Sequence, residues 1–190
     1  YLDPWKPVDK AIISHGHADH SRWGHQHYIM HYDTIPIAKH RLGDIHVSGV
    51  EYGESFSVNG VKFSLHPAGH VIGSAMIRVE YQGEVWVFSG DYKDEPDGVS
   101  EPFQPVKCNT FITECTFGLP AFKWKPQNEV MQEINQWWRK NRGDGRTSVL
   151  FVYALGKAQR VMNYLDTSIG NVYTHGAIEN LTEVLRPLID

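Results

Sequence analysis

Short apolar runs separated by turn residues fill the first two thirds of this 190-residue chain and predict β-strands. Residues 11–14 form one such run. Residues 61–66 alternate, so that Val61, Phe63 and Leu65 lie on one face of a strand. Alternation of this kind is typical of a strand with one face against a core.

A β-hairpin is predicted farther along the chain. Residues 75–81 alternate, residues 84–88 are apolar almost throughout, and Gly83 between them supplies the permissive backbone of a tight turn. The nearly continuous apolar run predicts a strand covered on both faces. Residues 110–113 predict another short buried strand.

Beyond residue 117 the pattern changes to helices alternating with strands. One helix is predicted between Pro126, in its first turn, and Gly143, at its C-terminal end. Two more helices are predicted near residues 158–165 and 178–188, and buried strands at 148–153 and 171–174. This order predicts an α/β unit with a parallel sheet. We therefore expect one domain over residues 1–120 and the start of a second over residues 121–190.

Composition restricts the class of protein. Apolar residues make up 41% and charged residues 21% of the chain, as in globular proteins. No apolar run reaches the ~20 residues that span a bilayer, no secretory leader opens the chain, and two cysteines are too few for a disulfide scaffold. We expect a cytoplasmic protein without membrane contact, and a piece of a longer chain because it begins at Tyr1.

The net charge of −4 argues mildly against a polyanionic partner. Divalent cations would add positive charge locally, so this argument does not exclude nucleic acid. The unusual count is 11 histidines. Neither low complexity nor a regular repeat accounts for them.

Imidazoles and carboxylates lie at or shortly after the ends of four of the predicted strands. If neighbouring strands run parallel, these side chains meet at one edge of a sheet, where ligand sites of open α/β folds lie. The residues are His15, His17, Asp19, His20, His70, Asp91 and Glu114.

Their chemistry suits metal binding. Neutral imidazoles and carboxylates bind zinc, and a catalytic zinc takes about three protein ligands. The first loop with His70 and Asp91 offers six, so we expect two ions, which together can clamp a phosphate. Manganese and iron suit the same ligands. The alternatives are a solvated loop, a turn aspartate at Asp91 and a capping carboxylate at Glu114. Six other histidines are interpreted as surface or supporting residues: His25, His27, His31, His40, His46 and His66.

The motifs resemble a known family. His-x-His-x-Asp-His matches the signature of the metallo-β-lactamase fold, and HPAGHVIGSAMI and FSGDYK resemble its next two ligand motifs. ITECTFG, followed by SVLFVYALGKAQRVM, resembles the β-CASP branch of nucleases. The run DPWKPVDKAIISHGHADHSRWGH, with TFGLPAFKW and YALGKAQ, is most similar to bacterial ligase-associated DNA exonucleases.

The resemblance implies a metallo-β-lactamase-type αββα sandwich followed by the start of a β-CASP α/β domain. It implies one metal bound by His15, His17 and His70. It implies a second metal bound by Asp19 and His20, with Asp91 bridging both. It implies catalytic roles for Asp19, Asp91 and Glu114, the last supporting proton transfer to the leaving group. The family's first strands and its last ligand histidine have no counterpart in this sequence.

Four further residues are candidates for substrate contacts. Lys123 and Trp124 lie in an aromatic and basic stretch able to stack bases and neutralise phosphates, although a linking loop with core aromatics is the alternative. Lys157 opens a predicted helix, where an anion can bind. His175 follows a predicted strand and could contact substrate or transfer a proton.

The sequence hypothesis is a nuclease with two divalent ions, zinc or manganese. By resemblance it is a DNA exonuclease acting in repair beside a ligase and a helicase. RNA processing is the main alternative, because the same motifs serve RNA nucleases. A non-catalytic nucleic-acid-binding subunit is the second alternative, and hydrolysis of a small ester or lactam is a weaker one.

Overall fold

The computed structural model describes residues 1–189 and divides the chain into two compact units. The first unit contains Tyr1–Glu114 together with the residues from Glu183 onward, and the second contains Cys115–Thr182. No helix in the described range is both long and apolar enough to cross a bilayer.

The first unit carries every strand that the described residues form. Its elements are β1 (Lys10–Ile12), β2 (His27–His31), α1 (Thr34–Leu42), β3 (Val47–Val50), β4 (Ser55–Val58), β5 (Val61–Pro67), β6 (Ala75–Tyr81), β7 (Glu84–Phe88) and β8 (Thr110–Ile112). Three further helices follow: α2 (Gln127–Gly143), α3 (Lys157–Tyr164) and α4 (Gly176–Ile189).

The strands form two sheets. Strands β1, β2 and β3 pair in parallel in that order. The second sheet has the order β4-β5-β6-β7-β8, antiparallel up to β7 and parallel between β7 and β8. The chain is therefore mixed α/β, in agreement with the predicted class.

Side-chain alternation explains how the sheets pack. In β1 and the residue after it, Ala11 and Ile13 contact the cluster beneath α1, whereas Ile12 faces the other way. Ile12 packs in one cluster with Leu65 and Ile77 of the second sheet. The first sheet is thus apolar on both faces and lies between α1 and the second sheet.

The outer face of the second sheet is covered by coil. Buried Met76 and Val87 pack against Phe103 and Val106 of the segment before β8. Two predictions were wrong here. The predicted cover of β7 on both faces is incomplete, because Phe88 packs against the Ile12 cluster but Trp86 on the same face is exposed. Strand β8 forms as predicted but is not buried, since its last two residues are exposed.

The predicted hairpin between β6 and β7 is confirmed. Tyr81 pairs with Glu84, and the two residues between them, Gln82 and Gly83, both have positive φ. That backbone is the type I′ turn, whose twist matches the twist of paired strands. The helix α1 and the strand β2 were not predicted from the sequence.

The second unit contains the predicted helices α2 and α3 and the start of α4, but not the predicted strands. Helix α2 begins directly after Pro126 and ends at Gly143. Residues 148–153 and 171–174 are not strands, and Phe151 and Tyr173 are 95% and 88% exposed. The reason is that a strand needs a neighbour for its backbone groups, and no strand of the described second unit lies beside either segment.

Candidate metal centre

The site forms where the ends of strands from both sheets meet. Strands β5, β7 and β8 run in the same direction, so the residues after them reach one edge of the second sheet. Strand β1 belongs to the other sheet, and its end is fixed there because the Ala75 amide donates to the Ser14 carbonyl at 2.8 Å. The predicted convergence occurs, but across two sheets and not along one.

Three imidazoles and one carboxylate form the histidine-rich group: His15, His17, His70 and Asp91. His17 Nδ1 lies 3.0 Å from His15 Nε2 and 3.1 Å from His70 Nε2. Asp91 Oδ2 lies 3.3 Å from His70 Nε2 and 3.8 Å from His15 Nε2. Donors in a tetrahedron about 2.0 Å from one ion are about 3.3 Å apart, so these distances fit a zinc ion.

A second set, the carboxylate-rich group, contains His20, Asp91 and Glu114. His20 Nε2 lies 3.4 Å from Asp91 Oδ1 and 3.8 Å from Glu114 Oε2. Asp19 Oδ2 also lies 3.8 Å from His20 Nε2, but its side chain is largely exposed. The structure thus brings Glu114 into the position beside His20 and Asp91 and leaves Asp19 at the margin.

Asp91 belongs to both groups through different oxygens. Oδ2 faces the histidine-rich group, and Oδ1 faces His20. Oδ1 is buried and accepts no hydrogen bond of good geometry from the described residues. A buried acceptor without a donor is unfavourable in water and suits a cation. The arrangement therefore fits two ions that share this carboxylate.

Gly90 lets Asp91 approach His15. Its φ of 53° lies in the left-handed region, and a Cβ there would be 2.6 Å from the Ser14 hydroxyl oxygen. Any side chain at this position would separate the loop after β7 from the loop after β1. The glycine thus fixes the distance between Asp91 and His15.

The environment keeps two imidazoles of the histidine-rich group, His15 and His70, neutral. Burial, reinforced by His20 and the other neighbouring imidazoles, holds the pKa of His15 well below its ordinary value. Burial and the nearby His17 lower the pKa of His70 to about 4. Neutral imidazole is the form that binds a metal. These two rings are therefore ready to bind an ion at neutral pH.

His20 has the opposite electrostatics. Burial alone would lower its pKa, but contacts with Asp3 and Asp91 outweigh burial and raise it to about 10. Burial would likewise raise the pKa of Asp91, yet the contact with His20 and the charges around it hold that pKa well below its ordinary value. This half of the site is a charged network, so the His20 ring releases a proton when it binds an ion, whereas His15 and His70 are already neutral.

Asp3 is a functional residue that sequence reasoning missed. Its buried carboxylate accepts from the Ser14 amide at 2.7 Å and lies 2.7 Å from His20 Nδ1. A carboxylate on one ring nitrogen fixes the tautomer and directs the other nitrogen at a metal. The sequence offers only a weak signal, an acidic residue directly after the apolar Leu2. The structure adds what the sequence does not show, namely that Leu2 forms a parallel bridge with Ile12.

Arg41 was also missed. It lies in the last turn of α1, and its Nη1 donates to the Gly16 carbonyl at 2.7 Å and to the Ser21 carbonyl at 3.4 Å. One guanidinium thus holds both ends of the ligand loop. No local motif indicates this contact, since it joins residues 20 to 25 positions apart.

The predicted substrate residues belong to the second unit. Trp124 is exposed, with its ring 5.3 Å from Phe117. Lys157 is the first residue of α3, and His175 is exposed, its Nδ1 accepting from the Ala177 amide. Among the six remaining histidines, His25 and His31 are buried, and none belongs to either metal-binding group of the described residues.

Comparisons with known proteins find relatives that are named as a DNA ligase and as endoribonucleases. A probable DNA ligase of Opitutus terrae is 29% identical over 188 residues, 97% of this chain and 18% of that protein. The endoribonuclease YSH1 of Saccharomyces cerevisiae is 35% identical over 122 residues, 63% of this chain and 15% of that protein. The Neurospora crassa endoribonuclease ysh-1 is 33% identical over 126 residues. No family model matches.

A solved structure of a protein of unknown function from Enterococcus faecalis aligns with 69% of this chain and 39% of its own length. Its TM-score is 0.49, at 11% identity. The chain spans less than a fifth of the length of the curated relatives named above. Their names support the predicted relationship to nucleases.

Proposed function

We propose that this chain holds a two-metal centre that hydrolyses phosphodiester bonds of nucleic acid. The observation that carries the proposal is Asp91, whose two carboxylate oxygens face two separate groups of potential ligands. Relatives named as endoribonucleases and as a DNA ligase support nucleic acid as the substrate.

His15, His17, His70 and Asp91 would hold one ion, and His20, Asp91 and Glu114 the other. We propose zinc, with manganese as the alternative, because imidazole and carboxylate ligands suit both ions. Held by these residues, a pair of divalent ions would supply positive charge to the phosphoryl oxygens and would lower the pKa of the attacking water.

The chain's own residues contribute orientation and proton transfer. Asp3 fixes the orientation of the His20 ring. The lowered pKa of Asp91 keeps its carboxylate ionised, so that either oxygen can bind a cation. Asp19 and Glu114 stand at the open side of the site with their side chains 66% and 45% exposed. We propose that Asp19 accepts the proton of the attacking water there and that Glu114 positions the carboxylate-rich group.

For the substrate, we propose single-stranded DNA shortened from an end, in cytoplasmic repair beside a ligase. The match to the probable DNA ligase extends over 97% of the chain and supports this choice. Internal cleavage of RNA is the second candidate. The higher identity to the endoribonucleases, 35% over 63% of the chain, favours it.

The test is cleavage of 5′-labelled single-stranded DNA and RNA of matched sequence by the full-length zinc-loaded protein. Asp91→Ala is compared with Asp94→Ala, an exposed aspartate outside both groups. Stepwise shortening of DNA, lost only in Asp91→Ala, is the expected result. Internal cleavage of RNA alone would select the second candidate. No cleavage of either by metal-loaded protein would overturn the proposal in favour of a binding subunit.

A further inference from the structure

We infer a nucleic-acid-binding surface beside the candidate metal centre, formed by Trp5, Arg22 and Trp23. We call these three residues the tryptophan–arginine patch, and its ligand is a single-stranded polynucleotide. The inference rests on the proposed function, because it concerns how the substrate of that site is held.

Two neighbouring segments, residues 3–8 and 20–26, form the patch. Both leave the edge of the metal centre, where Asp3 Oδ2 lies 2.7 Å from His20 Nδ1. Both end at the opposite edge, because they lead into the starts of the parallel strands β1 and β2. The segments also meet near that edge, where the Gln26 amide donates to the Val8 carbonyl at 3.0 Å. They therefore form one surface that begins at the metal ligands.

The rings of the patch are unusually open to solvent. Trp5 and Trp23 are 75% and 63% exposed. Tryptophan normally buries most of its large apolar surface, so two exposed rings on neighbouring segments indicate a binding surface. A flat aromatic ring stacks on any nucleic-acid base, because every base has a π-face.

Arg22 is held in place before any ligand binds. Its guanidinium carbon lies 3.9 Å from the centre of the Trp5 ring, and its Nε donates to the Asp19 carbonyl at 3.1 Å. The buried Tyr28 hydroxyl donates to the Arg22 carbonyl at 2.7 Å. A guanidinium fixed in this way loses little conformational entropy when it binds a phosphate.

The charge of Arg22 is available to a phosphate. No carboxylate of the described residues lies within 4.0 Å of its guanidinium, and the same is true of the Lys6 amine. Within the described part of the chain, only one of the five N–H groups of Arg22 has a protein partner. In a chain with a net charge of −4, this is a local positive site.

The patch is close enough to position a strand for cleavage. Trp5 follows Asp3 by two residues, and Arg22 follows His20 by two. Two residues of extended backbone span at most about 7 Å. A base stacked on the patch therefore leaves the next nucleotides at the metal centre. Stacking and phosphate binding are shared by DNA and RNA, so we expect both to bind.

The test measures binding and chemistry separately in the full-length, zinc-loaded protein. Binding of labelled oligothymidine and oligouridine is measured by fluorescence anisotropy in an Asp91→Ala background that does not cleave. Trp5→Ala, Trp23→Ala and Arg22→Gln are compared with Trp86→Ala, an exposed tryptophan on β7. Hydrolysis of bis(p-nitrophenyl) phosphate, a diester without bases, is measured with Asp91 intact.

We expect each tryptophan variant to bind both oligonucleotides about tenfold more weakly, and Trp86→Ala to bind within about twofold of the parent. We expect Arg22→Gln to make the plot of log affinity against log salt concentration shallower by about one unit of slope, the amount that corresponds to one phosphate contact. The patch variants retain hydrolysis of the small diester, because every candidate metal ligand is intact.

Unchanged oligonucleotide affinity in both tryptophan variants, or an equal loss in Trp86→Ala, would overturn the inference. The inference would also be overturned if the patch variants lost binding to anionic vesicles while their affinity for the oligonucleotides stayed unchanged. That result would assign the patch to membranes. Failure of the parent protein to hydrolyse the small diester would count against the proposed function alone. The two failures are therefore distinguishable.

Discussion

The two halves of the candidate metal centre differ in charge and in access to solvent. The histidine-rich group contains the fully buried His15 and the half-buried His70, both held neutral by their surroundings. The carboxylate-rich group combines His20, whose pKa is raised to about 10, with Glu114, whose side chain is 45% exposed. The first half is preorganised for an ion, and the second depends on the supporting carboxylate of Asp3.

This difference assigns separate tasks to the two halves. Three imidazoles with nitrogens about 3 Å apart favour permanent, tight binding of one ion, and His15 and His70 among them are already neutral. An open, charged set favours an ion whose ligands can rearrange around substrate. Among the described residues Asp91 alone belongs to both groups, so we expect its loss to affect the site more than the loss of any other candidate ligand.

The largest effect is expected for Asp91→Asn, which keeps the size of the side chain and removes its charge. We expect both ions to bind weakly and cleavage to fall by about 10³-fold or more. Zinc content per chain and the rate of diester hydrolysis measure the two effects. An Asp91→Asn protein that keeps two zinc ions would contradict the shared role of this carboxylate.

The second-largest effect distinguishes the two ligand groups by the number of zinc ions that each variant retains. In His20→Ala we expect one tightly held zinc to remain, because the histidine-rich group is intact. In His17→Ala we expect that tight ion to be lost, because His17 lies about 3 Å from both other imidazoles. Native mass spectrometry after dialysis counts the retained ions. Equal retention in the two variants would show that the halves do not differ.

A smaller effect is expected for Asp3→Asn, which weakens the support of His20 without removing a ligand. We expect zinc affinity of the carboxylate-rich group to fall by about 10- to 100-fold, with the histidine-rich group changed by less than about twofold. Competition with a chelator measures both affinities. Asp9→Asn, an exposed aspartate of the same segment, is the control. Equal weakening of both groups would mean that Asp3 supports the whole fold.

The smallest effect concerns a histidine outside both groups. Burial and the charge of Arg78 lower the pKa of His66, so the unfolded chain takes up a proton more readily than the folded one. The free energy of unfolding of the metal-free protein therefore falls as pH drops below about 6.5. In His66→Gln we expect that slope to be shallower, by at most about 1.4 kcal/mol per pH unit. Urea denaturation between about pH 5 and 7 measures it, and an unchanged slope would contradict the assignment.

The candidate ligands were predictable because they follow local patterns. The order of His15, His17, Asp19 and His20 after an apolar run carries its own chemical signal, and His70 and Asp91 also follow strands. The supporting residues were not predictable in this way. Arg41 acts on the carbonyl of Gly16 across 25 positions, and such a contact leaves no periodic trace.

The strands show the same limit. The hairpin of β6 and β7 was predictable because its partner strand follows after two turn residues. Residues 148–153 have a similar apolar run, yet they form no strand in the described chain. An apolar run gives the capacity to form a strand, and only a partner at the right distance satisfies its backbone.

The most direct test of the central claim is X-ray absorption spectroscopy of the zinc-loaded full-length protein. The account predicts two zinc ions per chain, nitrogen and oxygen ligands, and a metal–metal distance of about 3.5 to 4 Å that disappears in Asp91→Asn. A single zinc with no metal–metal scattering in the parent protein would contradict the shared-carboxylate site.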